Sequence, residues 1–89
     1  MENNIKNRLV DIRKRTALVQ TVSSYTKTLS DLFINDITLF ENVCDNYDAT
    51  PEEMLELLAN ASYKNVAFLD ELIQYSYKYI EDNNKELKR

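Results

Sequence analysis

An all-α fold is predicted, and three observations agree on it. The chain has no Gly and one Pro in 89 residues; tight turns between strands lean on glycine, whereas helices lose nothing by its absence. Apolar residues recur at helical spacing along most of the length, and strict strand alternation is nowhere found. The single proline stands where a helix begins. In Asp48-Ala49-Thr50-Pro51-Glu52-Glu53-Met54-Leu55, the Thr50 hydroxyl is placed to accept from an orphan backbone N–H as an N-cap. Pro51 falls at the first helical position, where its missing N–H costs nothing. Glu53 completes a capping box, and Glu52 and Glu53 set negative charge on the positive end of the helix dipole. A helix therefore starts at Pro51, and whatever precedes it ends at about 46–48. The chain divides there into two arms of similar length.

In the first arm, Asn3 or Asn4 can cap a helix beginning near Ile5. A seam with steps of four and three runs Ile5, Leu9, Ile12, Thr16, Val19, turns polar at Ser23, Thr26 and Ser30, and is apolar again at Phe33, Ile37, Phe40, Cys44 and Tyr47. A neighbouring seam, Leu18, Val22, Tyr25, Leu29 and Leu32, covers the gap. Two arrangements fit: one bent helix over about 4–46, or a break near Thr28–Asp31 with Ser30 capping a second helix. The Ser and Thr cluster competes for backbone groups, and an unbroken helix of that length is uncommon. The break is preferred, giving helices of about 4–29 and 31–46.

In the second arm, Met54, Leu58, Ala61, Asn65, Phe68, Leu72, Tyr75 and Tyr79 keep the same alternation, widened by Leu55, Leu69, Ile73 and Ile80. A turn at Asn60-Ala61-Ser62 with Ser62 as cap suits local propensity. The register nevertheless passes straight through it, so one helix is expected over 51–83, with a frayed tail at 84–89. Asn65 falls on the seam, either fixing register from inside or lying at the rim. Tyr75 and Tyr79 share a face that reads as the wet edge of a core, while Tyr77 turns away from them and is a candidate partner anchor.

Composition bounds the rest. At 44% hydrophobic and 29% charged the chain is foldable, and its length suits one domain, 1–89, hiding only roughly 60% of its unfolded surface. The expected architecture is a small antiparallel bundle of two arms, about three helices, with its broad second-arm face covered by a second copy in a homodimer. Cys44 is alone and reads as a buried small hydrophobe in a reducing compartment. No signal-peptide layout opens the sequence and no apolar run approaches a membrane span, so a cytoplasmic location is expected, without membrane contact. Abundant Asn, Lys, Ile and Tyr suggest an AT-rich genome, such as that of a low-GC bacterium or its phage, whose host cytoplasm would then be the location.

Function is expected to be non-enzymatic. With no His the commonest general base and metal ligand is missing; without Gly there is no phosphate-cradling loop of the usual kind. No metal-ligand spacing occurs, and no cofactor is expected. Charge is uneven: residues 1–30 hold six Lys or Arg against two acids, residues 31–60 hold eight acids and no base, and residues 61–89 hold five of each. Such asymmetry steers partners or pairs the two arms. The first expectation is a protein-interaction module, a small helical adaptor, inhibitor or regulator, using Arg8, Arg13, Lys14, Arg15 and Tyr77. The alternative is a nucleic-acid-binding regulator using the basic N-terminal helix; no known motif accompanies it, and the chain as a whole is acidic, with pI about 4.7.

Overall fold

The computed structural model describes residues 2–16 and 23–87. Five helices follow one another there: α1 (Glu2–Thr16), α2 (Ser23–Asn35), α3 (Ile37–Asn46), α4 (Pro51–Asn60) and α5 (Val66–Leu87), the last preceded by a 3-10 turn at Tyr63–Asn65. No strand occurs among the described residues, so the predicted all-α bundle is what the chain forms. α2 packs on α1, α3 and α5, and α4 closes the other side against α1 and α3. Leu9 and Ile12, Leu29 and Phe33, Leu39, Phe40 and Val43, Met54, Leu55 and Leu58, and Leu69, Leu72 and Ile73 meet in one core fed by all five helices.

The first arm does not break at Thr28–Asp31. α2 runs straight through, and Ser30, the expected cap, is buried inside it together with Thr26. Magnitudes explain why. A Ser or Thr inside a helix costs at most about 0.7 kcal/mol against Ala, whereas burying Leu29 or Phe33 gains about 1.5–3 kcal/mol each. The corner comes instead at Asp36, whose backbone is extended (φ −147°, ψ 91°). Its Oδ1 accepts from the Leu39 N–H at 3.1 Å, and its own N–H donates to the Leu32 carbonyl at 3.1 Å. Phe33 and Phe40 meet edge to face across this corner, ring centroids 5.2 Å apart. Leu18, Val19 and Val22 of the predicted stripe lie outside the described residues.

α3 ends where expected. Asp48 takes a left-handed conformation (φ 53°), and the Ala49 N–H reaches back to the Cys44 carbonyl at 2.9 Å. Both halves of the predicted capping box then form: the Glu53 N–H donates to Thr50 Oγ1 at 3.0 Å, and the Thr50 N–H donates to Glu53 Oε1 at 2.8 Å.

The long second-arm helix over 51–83 is not found. Ala61 is extended (ψ 143°), and Ser62 opens a second capping box. The Ser62 N–H donates to Asn65 Oδ1 at 2.9 Å, and Ser62 Oγ accepts from the Lys64 N–H at 3.4 Å. Asn65 thus spends its side chain on the corner. A straight helix over that span would measure roughly 50 Å, longer than the molecule's largest extent of 42 Å, and could not lay both halves on one core. Turning at Ser62 puts α4 on α1 and α3 while α5 lies on α2 and α3. The apolar residues that called for a second copy are thereby covered within one chain: Leu55, Leu69, Leu72 and Ile73 are buried, and Phe68 and Ile80 pack half-buried against them. α5 also stays helical to Leu87, beyond the expected onset of fraying at 84.

Two substitutions separate the local from the buried contribution. Thr50→Ala should cost about 1 kcal/mol in urea unfolding, the usual value of a lost N-cap. Ser30→Ala should leave stability unchanged or raise it by up to about 1 kcal/mol, because the buried Ser30 hydroxyl has no hydrogen-bond partner among the described residues and its burial is uncompensated.

Candidate interaction surfaces

The basic residues of α1 are partly occupied by the chain's own acids. Arg8 hydrogen-bonds Glu52 through Nη1, and its Nη2 lies 3.5 Å from Glu56 Oε1, which ties α1 to α4. The Glu52 hydrogen bond, reinforced by the charges of Glu52 and Glu56, raises the Arg8 pKa above its ordinary value. Arg13 pairs through Nε with Asp31 and ties α1 to α2. These pairs are exposed, so water and salt screen them and they add little to stability. Lys14 is exposed. Arg15 belongs to α1, but its side chain lies outside the described residues. Between the N-terminal ends of α1 and α4, Ile5, Pro51 and Leu55 line an apolar groove of about 320 Å³ with Arg8 and Glu52 at its rim.

Tyr77 is not brought to the basic residues. It projects from α5, half exposed at 50%, and α5 packs on α2 and α3 whereas α1 packs on α2 and α4. Tyr63, at 68%, is the other exposed large apolar side chain among the described residues.

A second surface forms where α3 meets α5. The Tyr47 ring stands edge to face against Phe68 and Tyr75, with centroids 5.5 and 5.8 Å away. The Tyr75 hydroxyl donates to Asn42 Oδ1 on α3. One turn further along α5, Tyr79 is half-buried, and Tyr75, Lys78, Tyr79 and Asp82 line a shallow groove of about 210 Å³. Sequence periodicity assigns Tyr75 and Tyr79 to a wet edge, as found, but gives no sign that Asn42 and Tyr47 would face them.

Two groups on α3 and its end have displaced pKa values. Burial lifts the Cys44 thiol from 9.0 to about 11, with Asp45 and Glu41 adding repulsion. Burial also lifts Tyr47 from 10.0 to about 12, helped by a hydrogen bond to Glu71 and by its charge. Both groups are therefore neutral at pH 7, and a neutral buried thiol is a poor nucleophile. Among the described residues no three potential metal ligands gather, and no helix is long and apolar enough to cross a membrane. Comparison with protein-family models, curated proteins and solved structures returns no match.

The sign of the pH effect follows from these directions. Folded-state values above the unfolded ones stabilise fully below the unfolded pKa and are lost as pH rises through the folded pKa. Melting temperature should thus hold level up to about pH 9 and fall between there and pH 12, the window set by Cys44 and Tyr47. At neutral pH, a thiol reagent should label Cys44 far more slowly in the native protein than in denaturant.

Proposed function

We propose that the chain is a protein-interaction module, a small helical adaptor, inhibitor or regulator that works by presenting helix surfaces to another protein in the cytoplasm. The observation that carries this reading is where the tyrosines stand. Tyr63 and Tyr77 are exposed, and Tyr75 and Tyr79 are half-buried at a groove. Tyrosine is enriched at protein interfaces, because its ring supplies rigid contact area and its hydroxyl tolerates water. Much of the polar inventory, by contrast, goes to folding. Asp36, Thr50, Glu53, Ser62 and Asn65 cap helices, and Arg8 and Arg13 hold carboxylates. That occupation weakens the nucleic-acid alternative, since two of its cations are already neutralised within the chain. A homodimer is not needed to cover the second arm.

The test sets the two readings against each other. A photocrosslinking phenylalanine analogue at Tyr77 or Tyr63 should yield a covalent adduct with one dominant protein in cells. A mobility-shift assay should find no salt-sensitive binding of duplex or single strands by the intact protein. If such binding occurs and the triple change Arg13→Ala, Lys14→Ala and Arg15→Ala abolishes it, the nucleic-acid reading replaces this one. The triple change should lower the melting temperature by less than about 8 °C, because Arg13 meets Asp31 at the exposed surface, where an ion pair is worth at most about 1 kcal/mol.

A further inference from the structure

We infer that the corner at Ala61 and Ser62 is a hinge that straightens, so that two copies of the chain exchange α5 and form a domain-swapped dimer. Register is the first ground. Met54, Leu58, Ala61, Asn65, Phe68 and Leu72 keep helical phase across the corner, so a straight α4–α5 helix carries one continuous apolar stripe. The second ground is how little must change. Asn60 ends α4, and Tyr63–Asn65 is already a 3-10 turn. Only Ala61 (φ −61°, ψ 143°) and Ser62 (φ −133°, ψ 180°) are extended between them, and alanine is the best helix former. The third ground is that the corners at Thr50 and Asp36 are barred from the same change. Pro51 would fall inside a helix running on from α3, where its ring clashes with a carbonyl one turn back. Phe33 and Phe40 meet edge to face across Asp36; on a straight helix they would stand roughly 10 Å apart, and exchange would not restore the contact. The Ser62 corner is held instead by hydrogen bonds among Ser62, Lys64 and Asn65. α4 packs on α1 and α3 while α5 packs on α2 and α3, so little packing spans the junction itself.

Exchange follows from length. A straight helix over 51–87 measures roughly 55 Å at about 1.5 Å per residue, against a largest extent of 42 Å for the folded chain. With α4 seated on its own α1 and α3, α5 then runs past its own core. Leu69, Leu72 and Ile73, buried in the closed chain, lose their cover, as do the surfaces of α2 and α3 against which α5 packs. A second copy opened at the same corner presents the missing half of each, and a twofold arrangement closes both cores at once. The contacts of α5 are remade between chains, including Tyr75 on Asn42 and Tyr47 on Phe68. What the open form gives up is the capping at Ser62. Asn65, released from the corner, returns to the stripe, where a polar residue favours one register.

The test holds the full chain at high concentration just below its melting temperature, then cools, dilutes and sediments it. A dimer should appear that returns to monomer only slowly, because α5 must undock first. In a dimer refolded from isotope-labelled and unlabelled chains, nuclear Overhauser effects should join the Tyr47 ring of one chain to the Phe68 ring of the other. Ala61→Pro suits the φ of −61° at the corner but not a helix interior, and should lower the dimer yield by about tenfold or more. Ser62→Ala with Asn65→Ala removes the bonds that hold the corner and should raise it by about tenfold, with folding of each variant checked by its helical melt. A natural chain that stays monomeric overturns the inference. So do a dimer without the interchain Tyr47–Phe68 effect, one undiminished in a folded Ala61→Pro, and one that the double variant does not strengthen. If Ala61→Pro fails to fold, the double variant decides. Failure of the exchange leaves the interaction module untouched, since that is judged by the crosslinking adduct.

Discussion

A chain without glycine has to turn its corners with side chains, and among the described residues the architecture depends on three such corners. Asp36 starts α3, Thr50 with Glu53 starts α4, and Ser62 with Asn65 starts the turn into α5. Each supplies an acceptor to N–H groups that would otherwise be orphaned at a helix start. At about 1 kcal/mol apiece, the three are a sizeable share of the roughly 5–15 kcal/mol that holds a small domain together. Their geometric effect is larger than their energy. Without the corner at Ser62 the second arm could not lay α4 on α1 and α3 while α5 lies on α2 and α3.

The same corners explain what could be read from the sequence and what could not. The Thr50-Pro51 start was legible because every part of it, cap, proline and Glu53, lies within four residues. The corner at Ser62 was hidden because the apolar register on its two sides stays in phase; periodicity detects a change of phase, and this corner makes none. Near Ser30 the error ran the other way. The polar cluster signals a break by propensity, but Leu29 and Phe33 are buried in the same turns, and burial outweighs propensity. Asp36, with no glutamate three residues on, gives a weaker capping signature than Thr50 and passes unnoticed beside it. As for the surfaces, exposure of Lys14 and Tyr77 follows from helical phase alone. The α3–α5 seam does not, because Asn42 and Tyr75 are 33 residues apart and no local pattern links them.

Charge asymmetry has a double meaning in this fold. Read along the chain, a basic first third and an acidic middle can either steer a partner or pair the two arms. In three dimensions Arg8 and Arg13 cross to α4 and α2, so part of the imbalance is internal wiring between neighbouring helices. What distinguishes a surface acid from a structural one is therefore its geometry and not its place in a charged run: Glu53 folds back on its own backbone, while Asp45 faces water at the dipole's unfavourable end.

The reach of the cap hydrogen bonds bears on how the chain assembles. Asp36 to Leu39, Thr50 to Glu53 and Ser62 to Asn65 each span three residues, so these corners close almost no loop. Their chain entropy cost is small, and each can form and re-form on its own while the rest of the polypeptide is still searching. The expensive closures are the long ones, the return of α5 to α2 and of α4 to α1, where Arg8 meets Glu52 from 44 residues away. Bundles with such local wiring reach their folded state in microseconds to milliseconds. Here the search reduces to a few late docking events between segments whose corners at Asp36, Thr50 and Ser62 are already set.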